Sequence, residues 1–175
     1  MASIRPRFLD RLPRSRHNPA KGDIFASHAP TLGWIFGRVI AVNAAYQRWK
    51  SVPQDGILLY IFRQYHAEPN PPDRLFVDEL LLPPIISVPT LWNRGVVRHL
   101  SNRPFELGEL LPIHCFEDRS AAGDPKYYDE FANVLPRRVE PCGVLCLVLE
   151  AGVDWRVSEA SRSLLRDGNL GRAKE

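Results

Sequence analysis

The chain has 175 residues, of which 45% are hydrophobic and 25% charged, and its formal net charge is +3. This composition is typical of a globular domain and excludes a disordered or membrane-embedded chain. No apolar run approaches the roughly 18 residues of a membrane-spanning helix, and no apolar stretch behind the basic start predicts a secretory signal. The 16 prolines and 11 glycines favour many short elements joined by turns over a helical bundle.

The positive charge is concentrated at the start of the chain. Residues 1–21 hold six basic side chains against one carboxylate, Asp10, so the rest of the chain is slightly acidic. We predict that residues 1–20 form a basic, disordered tail, because chain ends with few apolar groups are seldom ordered. Attachment to nucleic acid or to an anionic surface is the alternative use of such a tail. Residues 21–175 are predicted to form a single domain.

Short apolar runs bounded by turn residues predict strands along most of the chain. Gly37 lies inside the longest of these runs and predicts a bulge or a close approach of another segment. A last helix is predicted to begin at Asp154 or Ser158 and to stop at Gly168. The predicted fold class is α+β, mostly β, with a small, strongly bent (SH3-like barrel) sheet, additional strands and one or two helices. The predicted strands are 24–26, 34–42, 57–62, 85–88, 95–100, 113–116 and 144–149.

The three cysteines do not form a recognisable disulfide or zinc pattern. An odd number cannot pair completely within one chain, and Cys142 and Cys146 lack the second ligand pair that a zinc site needs. These features predict a reducing, cytosolic compartment. His114 and Cys115 are adjacent, so on a strand they point to opposite faces and do not form a nucleophile pair with each other, although His99 could approach Cys115 from another strand.

Common enzyme motifs are absent from the sequence. It contains no Gly-x-Ser-x-Gly elbow, no phosphate-binding Gly-x-x-x-x-Gly-Lys-Ser/Thr and no His-Glu-x-x-His. The absence of these motifs agrees with a protein that has no catalytic residues, cofactor or metal. A small nuclease or hydrolase that uses His99 or His114 with Arg38 remains the enzymatic alternative.

One segment combines negative charge with tyrosines. Between residues 117 and 130, five carboxylates face only Arg119 and Lys126, and two adjacent tyrosines follow a Gly-Asp-Pro turn. Tyrosine is enriched at protein interfaces, whereas charge runs also occur on solvated loops. We predict that this loop contacts a partner protein. The predicted partner-binding residues are Glu117, Asp118, Asp124, Tyr127, Tyr128, Asp129 and Glu130.

Several short motifs, in this order, resemble the immunity protein 26 family of bacterial polymorphic toxin systems over residues 21 to 165. They are Lys21–Ala26, Phe36–Ile40, Pro83–Ile86, Trp92–Gly95, Asn102–Pro104, Leu111–Phe116 and Lys126–Glu130. The opening motif also occurs in other small β-barrels, including toxin nucleases.

The resemblance implies a small cytoplasmic immunity protein that is encoded beside its toxin and neutralises it by protein–protein contact. The cognate toxin would be a nuclease or another intracellular toxin domain, and acidic residues would fit the basic cleft of a nuclease. No cofactor and no membrane contact are implied, and nucleic acid is not expected as a partner. A nucleic-acid-binding module of the small β-barrel type is the alternative from another class.

Overall fold

The computed structural model describes residues 7–44, 56–119 and 123–166. This part of the chain is α+β and consists mostly of strands, as the sequence predicts. A short 3-10 helix, Val77–Glu79, precedes β4. The elements in chain order are β1 (Asp23–Ala29), β2 (Gly33–Ala44), β3 (Gly56–His66), β4 (Ile85–Ser87), α1 (Thr90–Asn93), β5 (Arg98–Asn102), β6 (Cys115–Asp118), β7 (Lys126–Tyr128), β8 (Val134–Leu135), β9 (Cys142–Val144), β10 (Leu147–Val148) and α2 (Glu150–Arg166).

The strands form two mixed sheets. The large sheet has the order β10-β4-β3-β2-β1-β5, and the small sheet has the order β8-β7-β6-β9. Only the pairs β10–β4 and β6–β9 are parallel. The described strands do not close into a barrel.

The large sheet is buried on both faces, which explains the unbroken apolar run in β3. Alternate residues of a strand point to opposite faces. One face packs against Val153 and Val157 of α2, whereas the other packs against Phe116 of β6. The helix and the small sheet therefore lie on opposite faces of the large sheet. Ile57, Leu59 and Ile61 belong to the helix-side core, and Leu58, Tyr60 and Phe62 belong to the other.

Gly37 lies at a register shift between β2 and β3, as its position in the sequence predicts. Ile35 pairs with Tyr65 but Gly37 pairs with Ile61, so β3 bulges here. A Cβ at Gly37 would overlap the ring of Phe25 and lie 2.7 Å from the carbonyl oxygen of Tyr60. Only glycine lets these groups approach so closely.

The end of the chain differs from the sequence prediction. Residues 144–149 were expected to form one strand, but β9 ends at Val144 in the small sheet and β10 begins at Leu147 in the large one. The chain crosses between sheets at this point, which the apolar run does not reveal. Helix α2 begins at Glu150, before the predicted start, and the predicted stop at Gly168 lies outside the described residues.

Residues 7–20, which we call the N-terminal strap, lie against the body of the protein, although the sequence predicts a free tail here. Leu9 is 4% exposed, and the amides of Phe8 and Leu9 donate to the carboxylate of Asp154. Backbone bonds fasten the strap further, from Leu12 N to Gly95 O at 2.8 Å and from Ser15 N to Trp92 O at 3.1 Å. The strap is ordered because these amides find acceptors on the body, which its composition does not show.

Helix α1 contributes a large aromatic side chain to the core. Trp92 is fully buried and its ring packs edge-on against Phe25. Its indole N–H, which would be expected to donate to backbone, has no hydrogen-bond partner among the described residues.

Among the described helices, none is both long and apolar enough to cross a membrane.

Candidate functional site

The acidic segment predicted to bind a partner lies in the small sheet. Glu117 and Asp118 end β6, Tyr127 and Tyr128 lie in β7, and the remaining carboxylates lie in the adjoining turns. Strand alternation decides which of them reach solvent. Asp118 and Tyr128 are buried, at 6% and 5% exposure, whereas Tyr127 is half-buried. Of the seven residues, Asp124 alone is exposed rather than buried or half-buried.

Most carboxylates of this segment are paired within the chain. Glu117 lies 3.0 Å from Nη1 of Arg138 and 3.5 Å from Nε of Arg119. Asp129 accepts hydrogen bonds from the amides of Phe131 and Asn133 and from the side chain of Asn133. The segment is therefore not the free acidic surface that the sequence predicts, because local arginines and backbone amides satisfy its charges.

Glu130 takes part in a buried hydrogen-bond chain. Its carboxylate lies 2.9 Å from Nδ1 of His114, and Nε2 of His114 lies 2.6 Å from the hydroxyl of Tyr60. The Tyr60 oxygen also accepts a bond from the amide of Leu111, so its own hydrogen is free to donate to His114. Burial raises the pKa of Tyr60 well above its ordinary value, which keeps the phenol neutral.

The hydrogen-bond chain of Tyr60, His114 and Glu130 has the order of groups found in a catalytic relay, but it is closed to solvent. Tyr60 is fully buried and His114 is 7% exposed, so neither presents an open face to a substrate. The chain instead fastens the loop that precedes β6 to strand β3. Its effect is to position the exposed residue beside His114, Ile113.

A second buried network fastens the same loop at its other end. The guanidinium of Arg38 donates to Glu109 and to the carbonyl oxygens of Arg103 and Pro104, at 2.8 and 2.7 Å for the carbonyls. It also lies over the ring of Phe105, 4.0 Å from the ring centroid. Arg38 and Glu109 are both fully buried. A nuclease or hydrolase site that uses Arg38 would need this residue to leave its ion pair.

The electrostatics of Glu109 follow from that network. Burial raises its pKa, but hydrogen bonds from Arg103, the Glu106 amide, Arg38 and the Leu75 amide outweigh burial and lower the pKa to about 2. The carboxylate is therefore ionised. Residues 103–114 are held at both ends by polar groups inside the molecule, and the loop between them projects on a rigid base.

Two loops present exposed apolar side chains that sequence analysis did not single out. Leu107 is 97% exposed, and Phe131 and Val134, at the turn between β7 and β8, are 58% and 70% exposed. The two loops meet at the contact between His114 and Glu130, which directly adjoin Ile113 and Phe131. We call the exposed apolar residues of these two loops the Phe131 surface, made of Leu107, Leu110, Ile113, Phe131 and Val134. Five of the nine large exposed apolar residues in the described part of the chain lie in it.

The sequence does contain a pattern that indicates the exposure of these residues. Its residues are apolar, yet they lie in turn-rich stretches with no helical or strand periodicity that would bury them. The carboxylates and tyrosines of residues 117–130, which lie beside these apolar residues, instead led to the prediction of a partner-binding segment there.

Two of the three cysteines are buried side by side in the small sheet. Cys115 and Cys142 occupy paired positions on the parallel strands β6 and β9, and their sulfurs lie 3.1 Å apart. Burial and the neighbouring Cys115 raise the pKa of the Cys142 thiol to about 12. His99 lies beside Asp23 rather than beside Cys115, so the geometry offers no Cys–His nucleophile pair between them.

Comparison of the chain with protein-family models, with curated proteins and with solved structures finds no match in any of the three. Function is therefore inferred from the residues, their contacts and the order of the sequence motifs.

Proposed function

We propose that this protein is an immunity protein of a bacterial toxin system, which binds and neutralises a cognate toxin in the cytoplasm without catalysis. The observation that supports this most is the Phe131 surface, where large apolar side chains project from two loops fastened to the core. Exposed apolar groups rimmed by polar residues are typical of interaction sites. The ordered motifs that resemble the immunity protein 26 family supply the class of partner.

The surface has the composition expected of an interface centre. Phe131 would fill a pocket of the toxin, and the flanking Ile113 and Val134 would exclude water around it. Asp124, which is exposed, and Tyr127, which is half-buried, would form the polar rim. A specific complex buries roughly 800 Å² on each partner, and the two loops together with this rim would form its centre.

The other predicted contact residues receive supporting roles in this proposal. Asp118 and Tyr128 stabilise the small sheet from inside, and Glu130 positions the two loops through His114. Glu117 holds Arg138 at the edge of the surface. Charge then contributes mainly to the association rate, since the exposed carboxylates are few.

The experiment measures binding to the toxin encoded beside this gene, by calorimetry and by protection of toxin-expressing cells. Phe131→Ala and Ile113→Ala are each expected to weaken binding at least tenfold. Trp155→Ala is the matched control, because Trp155 is 54% exposed but lies on α2, on the opposite face of the large sheet. Failure of the wild-type protein to bind would overturn the immunity function, whereas equal binding by all variants would overturn only this surface.

A nucleic-acid-binding function is the second candidate, and one observation favours it. The strap exposes four arginines, Arg7, Arg11, Arg14 and Arg16, along one ordered segment. A row of this kind matches a phosphate backbone. A gel-shift titration would detect it, because affinity that depends on phosphate contacts falls steeply with salt.

We also propose that the large sheet is strongly bent, as in an SH3-like barrel. The pairing of β2 with β3 shifts register at three places. Bulges bend a sheet, so these shifts support a strongly bent sheet of the SH3-like kind. An experimental structure that shows β1, β2 and β3 as a flat sheet would contradict it.

A further inference from the structure

Two histidines and a buried carboxylate meet where the strap crosses the edge of the large sheet. His17 comes from the strap, Asp23 begins β1, and His99 lies on the neighbouring strand β5. One candidate ligand atom from each residue lies within 4.8 Å of the other two. The residues are 6 and 76 positions apart in the sequence, so no motif spacing reveals the cluster.

Both imidazoles direct the same ring nitrogen to the carboxylate. Nε2 of His17 lies 2.6 Å from Oδ2 of Asp23, and Nε2 of His99 lies 3.5 Å from Oδ1. The two rings stack with centroids 3.9 Å apart and an angle of 25° between their planes. Around a tetrahedral zinc ion with bonds of about 2.0–2.1 Å, ligand atoms lie about 3.3 Å apart. Small side-chain rotations therefore suffice to direct the three atoms to one cation.

The carboxylate is oriented by groups that do not compete for the cation. The side-chain amide of Asn102 donates to Oδ1 of Asp23 at 2.7 Å, and the amide of Ala20 donates to Oδ2 at 2.8 Å. Asp23 itself is 2% exposed. Outer hydrogen bonds of this kind fix the direction of a ligand and strengthen metal binding.

Both imidazoles are partly exposed, at 24% for His17 and 30% for His99, which leaves room for a further ligand. A cleft of about 780 Å³ reaches His17 from the strap side. Arg14 and Arg16 also line this cleft, and their charge opposes cations that are held by electrostatics alone. Two imidazoles and one carboxylate favour zinc and similar transition metals over Ca²⁺ and Mg²⁺, which need more oxygen ligands.

We propose that His17, Asp23 and His99 bind a divalent transition-metal ion of the Zn²⁺ class, with water as the fourth ligand, and that the ion fastens the strap to the sheet. The site joins three segments that are close only in the folded protein. Metal binding therefore stabilises the folded state with its strap docked, by mass action.

The test titrates Zn²⁺ into the chelator-treated, full-length protein by calorimetry, and titrates Co²⁺ in parallel by visible absorption. One ion per chain and the absorption of four-coordinate Co²⁺ are expected. His17→Ala and His99→Ala are each expected to weaken binding at least tenfold. If either variant unfolds, as judged by circular dichroism, the glutamine variant at the same position, His17→Gln or His99→Gln, replaces it.

Two controls separate this site from others. His28→Ala removes the other strap-linked histidine, which lies 2.7 Å from Asp10, and is expected to bind Zn²⁺ as the wild type does. Cys142→Ser tests the buried thiols, which also attract zinc, and is likewise expected to leave binding unchanged. Absence of binding, binding that survives loss of His17 and His99, or binding that depends on Cys142 would each overturn the proposal.

Discussion

The hydroxyl of Tyr60 lies 2.6 Å from Nε2 of His114, and this contact fastens the loop before β6 to an inner strand of the large sheet. The Leu111 amide donates to the same oxygen, and Nδ1 of His114 lies 2.9 Å from the carboxylate of Glu130. A buried polar chain thus determines where Ile113 and Phe131 emerge at the surface.

Replacing Tyr60 with phenylalanine should destabilise the fold without changing its shape. The variant leaves the Leu111 amide and Nε2 of His114 without a partner, and such a loss costs about 1–3 kcal/mol. Urea unfolding measures the effect. Tyr127→Phe is the control, because Tyr127 is half-buried at the surface of the small sheet, and a shift there as large as in Tyr60→Phe would contradict the role of the buried chain.

Replacing Glu109 with glutamine should be more costly and should depend on pH. The change leaves Arg38 buried without its carboxylate, a loss of about 3–5 kcal/mol at neutral pH. The folded-state pKa of Glu109, about 2, is below its ordinary 4.5, so its contribution is complete above pH 4.5 and is lost as the pH falls toward 2.

The measurement is urea unfolding of the wild type and Glu109→Gln from pH 7 to pH 2. The difference in free energy of unfolding should shrink as the pH falls. Glu106→Gln is the control, since Glu106 faces Arg74 and Arg103 but is 48% exposed, and it should change stability by less than about 1 kcal/mol. A difference between the wild type and Glu109→Gln that stays constant with pH would show that ionisation of Glu109 does not stabilise the fold.

Adding a methyl group at Gly37 should strain the core. The new Cβ would overlap the Phe25 ring and press on the Tyr60 carbonyl, and overpacking of this kind costs about 1–3 kcal/mol. Thermal unfolding of Gly37→Ala measures it. Gly152→Ala is the control, because alanine favours the helix by roughly 1 kcal/mol, which offsets a tight contact with Val148. A neutral Gly37→Ala would mean that β2 and β3 separate without cost.

Loss of the Asp154 carboxylate should release the strap. Asp154 accepts the amides of Phe8 and Leu9, at 2.6 Å for Leu9, and nothing in Asp154→Ala replaces these bonds. Trypsin should then cut after the strap arginines faster than in the wild type, as followed by mass spectrometry. Glu159→Ala, a change at an exposed site on the same helix, is the control. Equal cleavage rates in Asp154→Ala and the wild type would show that other contacts suffice to hold the strap.

The three cysteines should differ in reactivity. The pKa of Cys142 is raised to about 12 by burial and by Cys115, so almost none of it is thiolate at pH 8. Cys146 is only partly buried. Iodoacetamide should therefore modify Cys146 first, as mapped by peptide mass spectrometry. Preferential modification of Cys142 would contradict the buried thiol pair.

Sequence patterns alone predicted the mostly-β class, the apolar strand at 57–62 and the special position of Gly37. Each depends on local chemistry: alternation, β-branched residues and turn residues act over a few neighbouring positions. The same local logic failed at residues 144–149, where one apolar run serves two sheets.

Only the tertiary structure determines which side chains of residues 117–130 and of the strap are exposed. The composition of residues 117–130 is acidic. In the structure, however, Glu117 pairs with Arg138, which is distant in the sequence, and Glu130 pairs with His114, which lies on another loop. Tyr127 and Tyr128 are chemically identical, and only the pairing of β7 with β6 determines that Tyr128 faces the interior. The strap, read as a free tail, is ordered by Asp154 and by β1, and His17 meets His99 only because the chain folds back on itself. Long-range pairing of this kind leaves no local pattern in the sequence, because its partners are chosen by the fold as a whole.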